Sequence, residues 1–191
     1  MQLDWGSPPD SPAPGVDTPG PLAIEALFGE TSPAADAADD RARDDIERYR
    51  LAVEAHPDSA AACNNLAWAY VTTPEHLRDA SRALALAEKA TRLDPHDRLI
   101  RNTLGVAYYR VGRYREAADT LRDNLPHQNE KYLAVDLYFL AMSHHQLGDV
   151  ALAQAYYTWA ERATSSLDDL PLDDVQQRAA SRAEAKTLMG K

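Results

Sequence analysis

The 191-residue sequence is short of most features that would announce a chemistry. It has one cysteine, Cys63, so no intramolecular disulfide can form; set in a helical apolar pattern, it reads as a small core residue. No stretch approaches the roughly 20 apolar residues of a membrane span, and Met1–Asp10 lacks the basic and apolar regions of a secretion signal. The expectation is a cytoplasmic chain with no membrane partner. Residues 1–40 hold eight of the 30 acidic residues and no Lys or Arg, which leaves 22 acids against 20 bases in the remainder. An acidic arm on a nearly neutral body offers no basic face to a phosphate backbone, which argues against nucleic acid as a partner.

Motifs of catalysis are absent as well. There is no Gly-rich phosphate loop followed by Lys and Ser or Thr, no Gly-x-Ser-x-Gly turn and no His-Glu-x-x-His helix. Ser143 and His144 are adjacent, and neighbours on a helix are poorly placed as nucleophile and base. His144 and His145 point about 100 degrees apart, so they cannot share a metal as an i, i+4 pair does. His56, His76, His96 and His127 sit beside or near helix-ending prolines and read as loop residues. Asp79, Glu88, Glu116, Asp119 and Glu161 accompany Arg and Lys at helical spacing, the pattern of solvated ion pairs. No catalytic residue, metal or cofactor is expected, and the chain does not read as an enzyme.

What is present is organised along the chain. Seven of the twelve prolines and four of the eight glycines fall before residue 41, mixed with Asp, Ser and Ala, a composition that cannot bury a core. Residues 1–40 are therefore expected to be disordered, with one apolar island at 21–29 (Leu22, Ile24, Leu27, Phe28) that could dock as a short helix. From Asp44 onward apolar residues recur every three or four positions, and nothing alternates as a strand would. The ordered part is predicted to be all-α, divided at Pro57, Pro74, Pro95, Gly112, Pro126 and Gly148.

Three of the resulting pieces superpose: Asn65-Leu66-Ala67-Trp68-Ala69-Tyr70, Thr103-Leu104-Gly105-Val106-Ala107-Tyr108 and Phe139-Leu140-Ala141-Met142-Ser143-His144. Leu, a small residue and an aromatic or His recur in register. Seven residues after the small one come Gly112 and Gly148, and twelve after it Ala117 and Ala153; the first block reaches its Ala83 four residues late, an insertion placed in the Pro74 loop. Where two helices of a hairpin cross, anything larger than methyl pushes the axes apart, so these positions need to be small. Two departures stand out: the second and third blocks are 36 residues apart, and Asn124 occupies the position of Ala90 and Ala160.

The pattern resembles the tetratricopeptide repeat, a helix-turn-helix unit of about 34 residues, and is similar to repeat segments attached to bacterial signalling and scaffold proteins. The resemblance implies a helical-hairpin solenoid over residues 41–165, of about three and a half units. Asp45, Tyr49, Ala52 and Pro57 supply the leading half-unit, and a polar C-terminal helix within 166–191 is expected as a solvating cap.

In that family the first helix of each unit lines a concave groove. Stepping by four and three along those helices gives Asn64, Trp68 and Val71, then Asn102, Val106 and Tyr109, then Tyr138, Met142 and His145, with Thr72 and Arg110 at the rim. Aromatics and Met are common interface anchors, so these positions form the expected peptide-binding groove. No Lys stands among them, which argues against the Lys and Asn clamp that chaperone-tail binders use on a terminal carboxylate. Arg110 alone is expected to be solvated. The functional expectation is a module that holds a protein or peptide partner. Alternatives are an autoregulated module whose island at 21–29 fills its own groove or that of a second copy, and a docking part of a larger signalling enzyme.

Overall fold

The computed structural model describes residues 33–127, 130–164 and 172–190. Contacts divide the chain into Met1–Asp36 and Ala37–Lys191. Of the first unit, the described residues are the opening turn of a helix; the island at 21–29 lies outside the described residues. The second unit carries the repeat array.

Eight α-helices are described: α1 (Pro33–Ala55), α2 (Ala60–Thr72), α3 (Ala80–Leu93), α4 (Arg98–Arg110), α5 (Tyr114–Asn124), α6 (Glu130–Gln146), α7 (Val150–Thr164) and α8 (Leu172–Leu188), with no strand among the described residues. Local chemistry sets their ends. Ser59 Oγ accepts from Ala62 N at 3.2 Å, Asp79 from Arg82 N at 2.9 Å, Asp97 from Leu99 N at 2.7 Å and Asp149 from Leu152 N at 3.2 Å. Each satisfies a first-turn amide that has no partner within its helix. Gly112 and Gly148 both have φ of 81°. In that left-handed conformation Arg113 N reaches Tyr108 O and Asp149 N reaches His144 O, both at 2.9 Å, closing α4 and α6 so that α5 and α7 can fold back. The first hairpin turns instead through Thr73, Pro74 and a 3₁₀ turn at Glu75–Leu77, where the four extra residues are accommodated.

The array is an all-α solenoid of tetratricopeptide type. Ile46, Tyr49 and Val53 of α1 pack against the core as the leading half-unit, and α2/α3, α4/α5 and α6/α7 are three hairpins packed in series. The α1 helix begins at Pro33, ahead of the boundary drawn at residue 41. Ala67, Ala83, Ala117, Ala141 and Ala153 are fully buried. At Gly105 the need is sharpest: a Cβ there would lie 2.5 Å from the Leu121 side chain. Leu66, Leu104 and Leu140 fill the space between hairpins.

The departure at Asn124 has a packing explanation. Asp136, fully buried near the start of α6, accepts from the amides of Asn102 and Asn124, the latter at 3.2 Å; Asn124 Nδ2 also lies 3.3 Å from Arg98 O. A buried carboxylate needs donors around it. Asn124 replaces the alanine of the other units because the second and third units meet through this polar cluster.

Candidate functional site

The first helices of the three hairpins, α2, α4 and α6, lie side by side and form the inner wall of the array. The groove positions therefore share one wall, but they differ in what covers them.

At the N-terminal end the wall is open. A cleft of about 630 Å³ is lined by Asn64, Trp68 and Thr72 of α2, Leu99, Asn102 and Thr103 of α4, Tyr132 and Val135 of α6, Arg41, Asp45 and Tyr49 of α1, and Asp174, Gln177 and Ala180 of α8. Trp68 is half-buried, leaving part of the indole toward the cleft, and Thr72 Oγ1 donates to Trp68 O at 2.8 Å. The Asn64 side-chain oxygen is buried and has no hydrogen-bond partner among the described residues. Asn102 lines the same space while its amide is engaged by Asp136.

Farther along, the wall is closed. Val71, Val106, Tyr138 and Met142 are fully buried, Tyr109 is buried and His145 half-buried. Val106, Tyr109, Tyr138 and Met142 belong to one continuous core, with half-buried Trp68 packed against it. Burial, then the Glu184 carboxylate, pushes the Tyr109 hydroxyl up to about 12. The covering element is α8. It packs against α6, with Ser181 and Ala185 buried and Leu188 and Met189 half-buried over the core.

Two charged latches hold α8 in place. Arg110 is not solvated: its side chain is 8% exposed and its guanidinium forks onto both carboxylate oxygens of Glu184, Nη2 at 2.8 Å. The same guanidinium donates to Val71 O at 3.2 Å and lies over the Phe139 ring, 5.1 Å from its centroid. On the other side, Glu161 of α7 accepts from Arg182 Nε at 2.7 Å and from the Tyr138 hydroxyl at 2.8 Å. The Arg182 bond, ahead of the one from Tyr138, holds the Glu161 carboxyl below the usual carboxylate range against the opposing effect of burial.

The α8 contact is what the sequence reading did not place. Its signal was there: Ser181, Ala185 and Leu188 step by four and three along an otherwise polar helix, the spacing of one buried stripe. Outside the wall, α7 carries a further exposed surface. Tyr156 stacks on His144 and on Trp159, and Trp159 is 46% exposed. Among the described residues no helix is long and apolar enough to cross a membrane, and no group of three His, Cys, Asp or Glu is placed to hold a metal.

Compared with known proteins, the chain matches no family model and no curated protein. It is similar to solved structures of MamA. One, from MSR-1, is 22% identical, with a TM-score of 0.51 over 63% of this chain and 66% of that one. A second, from AMB-1, is 22% identical with a TM-score of 0.52 over 64% of this chain and 69% of the other. A further MamA structure is 17% identical, with a TM-score of 0.53 over 85% of this chain and 93% of its own. This chain thus spans about two thirds of the length of the first two. At these identities the likeness is one of fold.

Proposed function

We propose that the chain is a protein-interaction module that receives a segment of a partner polypeptide on its concave face, entering through the open cleft between α1, α2, α4 and the start of α8. The observation that carries this reading is the convergence of Asn64, Trp68 and Asn102 on one cleft, with the Asn64 oxygen lacking a partner. A buried amide oxygen without a donor is costly, and a backbone N–H from an incoming peptide would satisfy it. Trp68 supplies a flat apolar wall of the kind that anchors interfaces. The half-closed wall beyond it has Tyr138 and Met142 acting as core, so these two groove positions contribute through packing rather than contact. The fold shared with MamA supports an interaction role and says nothing of which partner.

The test is capture of a partner by the intact chain, followed by titration of the identified segment into wild type, Asn64→Ala and Trp68→Ala. Loss of at least about tenfold in affinity for Trp68→Ala, measured well below the variant's own unfolding midpoint with its helix content intact, is the expected result. Unchanged affinity in both variants would move the binding surface elsewhere. An N-terminal occupant at 21–29 is a rival ligand for the same cleft; deleting residues 1–30 would then raise quencher access to Trp68.

A further inference from the structure

The outer face of α7 is built unlike that of the other return helices. From Val150 to Ala160, about three turns, α7 has no charged residue. With Ala83, Ala117 and Ala153 in register, Leu152 and Trp159 stand where α3 has Arg82 and Lys89 and where α5 has Glu116 and Asp123. Ala151 and Ala155 likewise stand where α5 has Arg115 and Asp119. These positions point away from the array. Ala153, Tyr157 and Ala160 are buried, whereas Val150, Ala151, Leu152, Ala155 and Trp159 are exposed. The aromatic part of the face is held in one arrangement: Tyr156 stacks on His144 with ring centroids 5.4 Å apart and on Trp159 at 6.5 Å. A surface helix ordinarily carries charge on its outer side, and a continuous apolar stripe there marks a contact surface.

We propose that this stripe is a self-association face, on which α7 of a second copy of the chain packs antiparallel across a twofold axis passing near Ala155. The choice of a second copy rests on self-complementarity, which a twofold contact requires. In an antiparallel pair about that axis, residues equally distant on opposite sides of Ala155 face each other. Trp159 then meets Ala151 of the second copy, a large ring over a methyl group, and Leu152 meets Thr158. Ala155 meets its own equivalent, and its small side chain lets the two helix axes approach. At both ends Arg162, which is exposed, comes beside Asp149 of the second copy, so opposite charges close the pair. A parallel pair in register would instead set Trp159 on Trp159 and Arg162 on Arg162. Contact through one helix pair lies at the small end of interface sizes, so the dimer is weak and forms with rising concentration. The face is separate from the cleft, and the proposal does not depend on what the cleft receives.

The experiment is sedimentation equilibrium of the full chain over about 1 μM to about 1 mM, the range in which weak complexes form. The mass is expected to rise from 21.1 kDa towards twice that value. Trp159→Lys and Leu152→Arg place on α7 the residues that α3 carries as Lys89 and Arg82, so both suit an outer helix face, and circular dichroism checks that helix content is kept. Each is expected to weaken association at least about tenfold. Single cysteines read the register. Cys63 is the one native cysteine and is fully buried, so an introduced surface thiol reacts alone. Two Ala155→Cys chains meet at the axis and should crosslink under glutathione disulfide. Two Ala151→Cys sites lie about 12 Å apart along the helices, beyond the roughly 7 Å Cα separation a disulfide tolerates, and should not. A chain that stays monomeric throughout overturns the proposal and leaves the stripe to a different partner. A dimer that both charged variants leave unchanged, or crosslinking as efficient at position 151 as at 155, overturns it as well.

Discussion

At the scale of single residues, the repeat depends on positions where size is decided by a neighbour's atoms. Gly105 is the clearest, because the Leu121 side chain occupies the space a Cβ would need and Leu121 is itself fully buried. Gly105→Ala is expected to lower stability by about 1–3 kcal/mol through overpacking, measured by urea unfolding. Asn124→Ala would restore the small residue of the other units yet remove a donor from buried Asp136, and a loss of about 1.5–3 kcal/mol is expected for a hydrogen bond to a charged group. A neutral result would mean that the polar cluster contributes nothing to the junction of the second and third units. His144 stands where the other units have Tyr, and burial lowers its pKa although Asp149 opposes this. A group whose folded pKa lies below its unfolded value of about 6.5 favours the native state above that pH and loses the contribution as pH falls toward the folded value. Stability should therefore decline on acidification from neutral through that window, and His144→Tyr should remove this part of the pH dependence.

At the scale of elements, the hairpins and the last helix were legible in the sequence, but the seat of that helix was not, for a physical reason. Hairpin packing repeats the same small residues at fixed spacing, so Ala67, Gly105 and Ala141 can be aligned by eye. The seat of α8 occurs once. Its buried stripe is Ser181 and Ala185, which are common on exposed helices too, and its latches are Arg110–Glu184 and Arg182–Glu161, pairs far apart in sequence that look like ordinary solvated charges. Among the groove positions, Asn64, Trp68 and Asn102 were brought to one open cleft, whereas Val106, Tyr138 and Met142 went into the core because α8 and the neighbouring hairpins cover them. The Glu161 latch gives α8 its own acid response. Its carboxyl is held below the usual range, so its contribution is present above about pH 4.3 and is lost as pH falls through the depressed folded value. Hydrogen exchange should show α8 amides losing protection on acidification before those of α2 and α4, and simultaneous loss would mean that the latch is not what holds α8.

At the scale of the whole molecule, the array is a stack of hairpins with one wall divided between an open cleft and a helix-covered floor. Net charge sits unevenly, with eight acids and no Lys or Arg in residues 1–40, so partner binding that depends on that arm should weaken as salt rises, while binding at the cleft should change little. Exposed Leu152 and Trp159 on α7 form an apolar surface away from this wall and provide an internal contrast. Amide chemical-shift mapping of the full chain with its captured partner segment compares the two surfaces in one titration. Shifts are expected at Asn64, Trp68, Thr72 and Asn102 and along α8 from Asp174 to Ala185. Shifts confined to α7 around Leu152 and Trp159, with the α2 and α8 signals unmoved, would contradict a binding concave face.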